Sequence, residues 1–207
     1  MPVELTEEQG EELHKLGELG TRRAKVWLDS TSRVSSSWTV YDAAAVKRLR
    51  FSWPVDGFKP FSFDLGGILA GGEFEQQAFI AECKKYSTKS QGGHYDKFLA
   101  QSYVLMQDDS ALADHIFWIT WHPFRIDTWN VLASEAKVEA AVSKWASRIF
   151  PGYADKSDIS AVIDKDAVAR VAQRVWNLVL TDRQEKLVLA PNDRALVIAE
   201  RIKRGEA

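Results

Sequence analysis

The sequence predicts an α/β fold: a central mixed β-sheet flanked by helices. Three observations carry that expectation. Two extended, aromatic-rich runs, Pro60–Leu69 and Phe74–Lys84, flank a Gly-Gly turn, the pattern of a hairpin. The run His115–Trp121 is apolar on both parities, as in a strand covered on two faces. Stretches with helical periodicity lie before, between and after these runs, so helices and strands share one chain. At 207 residues, 45% of them hydrophobic and 27% charged, the sequence can bury one good core. No Pro/Gly-rich or low-complexity linker divides it. Residues 1–207 are therefore read as one domain, with a core at about 10–125 and a helical C-terminal part at about 126–207.

Each element has a local reason. Thr6 and Gln9 have the capping-box spacing and open a helix from about Glu7 to Leu28. Leu13, Leu16, Leu19, Ala24 and Trp27 would face its core. Gly10, Gly17 and Gly20 weaken it by roughly 1 kcal/mol each, and a break near Gly20 is compatible with the pattern. Ser30–Ser37 reads as a loop, because serine hydroxyls compete for local backbone groups. Trp38–Tyr41 is a short strand candidate, and Asp42–Leu49 is helical. The hairpin follows, with Ala70–Glu73 as its turn. A polar loop, Ser87–Gly93, leads to a helix over His94–Met106. The strand at His115–Trp121 comes next, then helices over Ser134–Ile149 and Asp164–Leu180. In the last of these Val168, Val171, Ala172, Val175, Leu178 and Val179 share one face. Lys186–Leu189 reads as a short strand. Asn192–Lys203 reads as a final helix with Ala195, Ile198, Ala199 and Ile202 in register, a hairpin being the alternative.

Composition removes several function classes. Cys83 is the single cysteine, which excludes an internal disulfide and a Cys-rich zinc site. The segment Met1–Gly20 is acidic and lacks an apolar core, so it does not read as a signal peptide. No apolar run reaches membrane-spanning length. The expected location is the cytoplasm, with no membrane partner. Net charge is −2, but the first 18 residues hold six glutamates against Lys15, and the remainder carries +3. A local anion-binding face is compatible with that balance, though no strongly basic stripe is visible.

One constellation carries chemistry: Asp64, then Glu82-Cys83-Lys84. Strand side chains alternate, so Glu82 and Lys84 share a face and Cys83 points to the other. The hairpin returns Asp64 along the neighbouring strand. A symmetric turn at Gly71-Gly72 puts Asp64 opposite Phe79, short of Glu82, and a bulge at Gly66-Gly67 would close the offset. Two carboxylates can hold Mg²⁺ or Mn²⁺ with retained waters. Such an ion lowers the pKa of a bound water and clamps a phosphate, and a lysine beside it stabilises developing charge. The Cys83 backbone carbonyl would add an oxygen ligand while its thiol packs inward. Glu-x-Lys alone is nearly worthless as a signal. Glu135-Ala136-Lys137 repeats it in a helical stretch with no partner strand.

Phe63-Asp64-Leu65 and Ile80-Ala81-Glu82-Cys83-Lys84 resemble the PD-(D/E)XK nuclease superfamily, whose fold is called restriction-endonuclease-like. The preceding helix, and the helix and strand that follow (His94–Met106, His115–Thr120), match that family's order. The resemblance covers roughly residues 10–125. It implies an acidic residue on the second core strand and Glu-x-Lys on the third, binding a divalent metal and cutting nucleic acid. Asp64 and Glu82 would then bind metal, and Lys84 would position water and stabilise charge. Glu18 is the match by position for a first-helix glutamate near the metal, and Gln101 for a glutamine on the following helix. Phe63 stands where proline is common. DNA is the implied substrate. RNA, or an inactive nucleic-acid- or protein-binding module of the same fold, are the alternatives. A homodimer or a partner subunit supplying DNA binding stays open.

Other residues have plainer readings. His94, His115 and His122 lack metal-ligand spacing. Lys85 and Lys89 are equally suited to phosphate contact and to solvation. Arg170 and Arg174 lie on a polar helix face and read as solvated. The eight tryptophans read mostly as core.

Overall fold

The computed structural model describes residues 7–85, 92–107, 113–153 and 159–205, with side chains from residue 15 onward. Thr6 of the expected capping box and most of the Ser87–Gly93 segment, Lys89 included, fall outside the described residues. The first helix, α1 (Glu7–Ser30), runs unbroken through Gly20. Close approach explains that glycine: a Cβ there would stand 3.0 Å from Lys85 Cβ. Ala24 and Leu28 face the sheet, whereas Leu16 and Leu19 are exposed, contrary to expectation. The buried stripe is thus set by the small residues that let the helix approach.

The Ser-rich segment is a strand, β1 (Val34–Thr39). Sheet pairing overrides the serines' local preference, since β1 joins an antiparallel partner from Val34 to Thr39, with one register shift between Val34 and Ser36. Ser37 also donates to Asp29 at 2.5 Å, and Lys25 donates to the Ser37 carbonyl at 3.0 Å, tying β1 to α1. Only Val46–Leu49 of the expected Asp42–Leu49 helix is helical (α2). Two short strands, β2 (Arg50–Phe51) and β3 (Phe61–Ser62), make a separate ribbon. The hairpin comprises β4 (Leu65–Leu69) and β5 (Ala78–Lys84). The next helix, α3 (Gly92–Gln107), leads to β6 (His115–Thr120).

The C-terminal part is not all helical. The expected Ser134–Ile149 helix is divided into α4 (Glu135–Lys144) and α5 (Ala146–Ile149) at Trp145. The expected Asp164–Leu180 helix ends early: α6 (Lys165–Arg174) passes directly into a strand, β7 (Val175–Val179). Asp164 caps α6 by accepting from Asp166 and Ala167 at 2.9 and 3.0 Å. Beyond Arg174 the Val-Trp-Asn-Leu-Val run pairs with β6, so a β-prone segment with a free sheet edge outcompetes the helical periodicity. Lys186–Leu189 is not a strand; a 3-10 turn covers Gln184–Lys186. The last helix is α7 (Pro191–Arg204).

The five-stranded sheet has the order β1-β4-β5-β6-β7. Its β1, β4 and β5 are antiparallel, and β5, β6 and β7 are parallel. One face carries α3, α4 and α6 over Phe63, Ile80, Ile116 and Trp118. The other is covered by α1 over Leu65, Phe79, Ala81, Cys83 and Ile119. The mixed α/β class is as expected. The helix α7 attaches through Arg194 to the Val34 carbonyl and Arg201 to the Ser32 carbonyl, at 2.6 and 2.7 Å. Of the residues expected in register on it, Ala195, Ala199 and Ile202 are exposed. Among the described residues no helix is long and apolar enough to cross a membrane.

Candidate metal and phosphate site

Strand pairing places the three principal residues together. Leu65 pairs with Ala81, so Asp64 comes level with Glu82 rather than with Phe79. The expected bulge at Gly66-Gly67 is absent; these residues pair regularly with Ile80 and Phe79. The offset is absorbed in the turn instead. A 3-10 turn over Gly72–Phe74 and left-handed Gln76 (φ 61°) lengthen the connection.

The ladder then opens at Asp64. Its N–H donates to the Ala81 carbonyl, and its own carbonyl accepts from Val40, both at 2.9 Å. Its carboxylate Oδ2 accepts the Cys83 N–H at 2.8 Å, a bond that a continuing strand would have supplied. The Lys84 carbonyl accepts from Trp121 on the β6 side. Backbone alternation therefore turns the Cys83 carbonyl to the opposite side, toward Asp64. The Cys83 thiol faces α1 near Thr21, and burial pushes its pKa well up.

Lys84 reaches both acids. Its Nζ lies 2.5 Å from Glu82 Oε1 and 3.9 Å from Asp64 Oδ2. The three side chains are only 12–19% exposed. Burial first, and then the Glu82 charge, raises the Asp64 pKa to about 7; Lys84 and the Cys83 N–H oppose the shift. Glu82 Oε2 is buried and has no hydrogen-bond partner. A buried carboxylate oxygen left so is costly.

Three groups that the sequence reading did not assign to this site surround it. Tyr41 follows β1, two residues past its end, and its hydroxyl is near α1: a Cβ at Gly17 would lie 3.5 Å from it. Burial, Asp64 and Glu18 push the Tyr41 pKa to about 12, against Lys84. On α3, His94 and Lys97 feel both Glu82 and Lys84. Tyr41 had a signal in the sequence, since its strand neighbours the one leading from Asp64. His94, Lys97 and Gln101 are spaced i, i+3, i+7, one helix face.

The accessory residues fare differently. Glu18 is paired with Arg22 across one helical turn at 2.7 Å and is felt at the site through Tyr41. Among the described residues no three His, Cys, Asp or Glu side chains converge, so Glu18 does not complete a three-carboxylate cluster. Gln101 is buried, one turn beyond Lys97 on α3. Arg170 and Arg174, expected to be solvated, bond the Met106 and Ala113 carbonyls at 2.7 and 3.0 Å. His115 is a structural partner of Gln77 at 2.6 Å.

No family model matches the chain, and no curated protein matches it. Among solved structures it is similar to the Moraxella osloensis Cap4 SAVED/CARF-domain containing receptor. Identity is 10% and the TM-score 0.35, over 90% of this chain and 36% of that one. The chain thus spans about a third of that receptor's length. A likeness of this size assigns neither family nor activity.

Proposed function

We propose that the chain is a divalent-metal-dependent nuclease acting on DNA, as its resemblance to the PD-(D/E)XK superfamily implies. One observation carries the reading. Glu82 Oε2 is buried without a partner, beside Asp64 and within a lysine's reach. The order of the main-sheet elements supports it too: α1, three antiparallel strands (β1, β4, β5), α3 and the parallel β6, with Asp64 just before the second strand and Glu82 on the third.

The donors fit a hard cation. Asp64, Glu82 and the Cys83 carbonyl are all oxygen donors, the set that Mg²⁺ and Mn²⁺ favour, and the thiol is turned away. Such an ion, when bound, lowers the pKa of a coordinated water and neutralises charge on a phosphate. The protein's own groups do the rest. Glu82 and Asp64 fix where the charge of the ion would sit. Lys84, held between them, donates to a phosphate oxygen or to the attacking water. Tyr41 and His94, which feel the charges of these residues, would help to orient the substrate or that water.

A second reading has its own observation. Lys84 already balances the acids with a 2.5 Å contact to Glu82, an arrangement that an inert module of this fold can keep without turnover. The test is purified protein with Mg²⁺ or Mn²⁺ and plasmid, linear duplex, single-stranded DNA and RNA. Wild type is expected to cleave DNA, and Lys84→Ala to lose at least about 100-fold in rate with an unchanged circular dichroism spectrum. Cleavage of RNA alone moves the substrate class. Equal cleavage by wild type and variant, or none by either, rejects the nuclease.

A further inference from the structure

We propose that Lys97 and Arg148 form a second phosphate seat, which holds the nucleic-acid backbone beside the phosphate at Asp64, Glu82 and Lys84. This rests on the nuclease reading and names how its substrate is gripped.

Position comes first. The helix α3 lies over the site: Phe98 packs on Phe63 at 6.3 Å and on Trp118 at 5.2 Å between ring centroids. Those residues flank the acids, since Phe63 precedes Asp64 and Trp118 pairs with Glu82. Lys97, next to Phe98, is half-buried and feels Glu82, Lys84 and Arg148. The Arg148 backbone in turn accepts from Val55 at 3.1 Å, which fixes α5 to the loop running to β3 and Asp64.

Arg148 is held rigid by rings rather than by an acid. Its guanidinium lies 4.7 Å from Phe58, 4.8 Å from Trp145 and 5.6 Å from Trp53. Trp53 and Trp145 are stacked at 5.7 Å with planes 4° apart. A guanidinium on aromatic faces keeps its N–H edge available to an anion. Among the described residues neither the Lys97 ammonium nor the Arg148 guanidinium has a hydrogen-bond or ion-pair partner.

Charge completes the case. The Lys97 ammonium lies in the field of two other cations, Lys84 and Arg148, with Glu82 as the acid acting on it. Cations crowded this way repel unless an anion joins them. A phosphodiester backbone supplies anions at regular spacing, and a planar guanidinium pairs with phosphate through two N–H groups.

The test is anisotropy titration of a fluorescein-labelled duplex oligonucleotide in EDTA, at several salt concentrations, with cleavage in Mg²⁺ measured in parallel. Lys97→Ala is expected to weaken binding about tenfold and to reduce the salt slope by about 1. Lys97→Arg restores both, and Lys203→Ala on α7 changes neither. Arg148→Gln, read the same way, repeats the loss should Lys97→Ala misfold. Unchanged affinity and slope in Lys97→Ala and Arg148→Gln overturn the seat while leaving the nuclease intact. Binding that depends on Lys97, in a protein that never cleaves, upholds the seat and removes the nuclease.

Discussion

Asp64 is where burial and chemistry oppose each other. Its carboxyl keeps a proton to about pH 7, against 3.8 for an ordinary aspartate. An unfolded chain releases that proton near pH 4, so between the two values rising pH favours the unfolded state. Asp64→Asn removes that cost and retains an oxygen for the Cys83 N–H. It should therefore raise the melting temperature of the metal-free protein at pH 8, by about 2–4 °C for roughly 1 kcal/mol. The gain should shrink to a small remainder at pH 4, where the folded state is protonated and the unfolded state about half so. Melting curves at the two pH values check this; a loss of stability at pH 8 would contradict the burial argument. The three principal residues were legible because strand alternation alone puts Glu82 and Lys84 on one face, and a hairpin supplies Asp64. Tyr41, His94 and Lys97 were not, because they arrive from elements whose relative placement depends on packing. Glu18 matched by position, but its carboxylate is taken up by Arg22.

At the scale of elements, pairing and close approach decide what periodicity leaves ambiguous. Val175, Leu178 and Val179 continue the helical face of α6 in sequence, yet the β6 edge draws them into β7. The serines of β1 read as a loop until a partner strand accepts them. That partner is unusual in carrying Gly66 and Gly67. A Cβ at Gly67 would meet the Phe79 ring and the Ser36 carbonyl, each at 2.5 Å. Gly67→Ala must therefore displace a strand backbone or a buried ring. It should cost about 1–3 kcal/mol in urea denaturation. A neutral result would mean that β1 and β4 are not paired this closely. The same crowding explains why the hairpin absorbs its offset in the turn and not by a bulge at these glycines.

At the scale of the molecule, the two faces of the sheet have different duties. The helix α1 covers one face through Ala24, Leu28 and Trp27, over a buried apolar cluster that includes Cys83. The three-helix layer covers the other, and its α3 lies over the strand ends where Asp64, Glu82 and Lys84 meet. The α/β class was legible from the alternation of patterns. The role of residues beyond 150 was not, since β7 and α7 join distant parts of the sheet. A site built at strand ends couples a bound ion to the stability of the whole fold. The decisive measurement is therefore thermal melting of wild type and Glu82→Gln across a Mg²⁺ or Mn²⁺ titration. Wild type should gain about 2.7 kcal/mol at a hundred times its dissociation constant, and Glu82→Gln should gain almost nothing. A melting temperature that ignores the ion, or that rises equally in both proteins, would contradict the metal site on which the account depends.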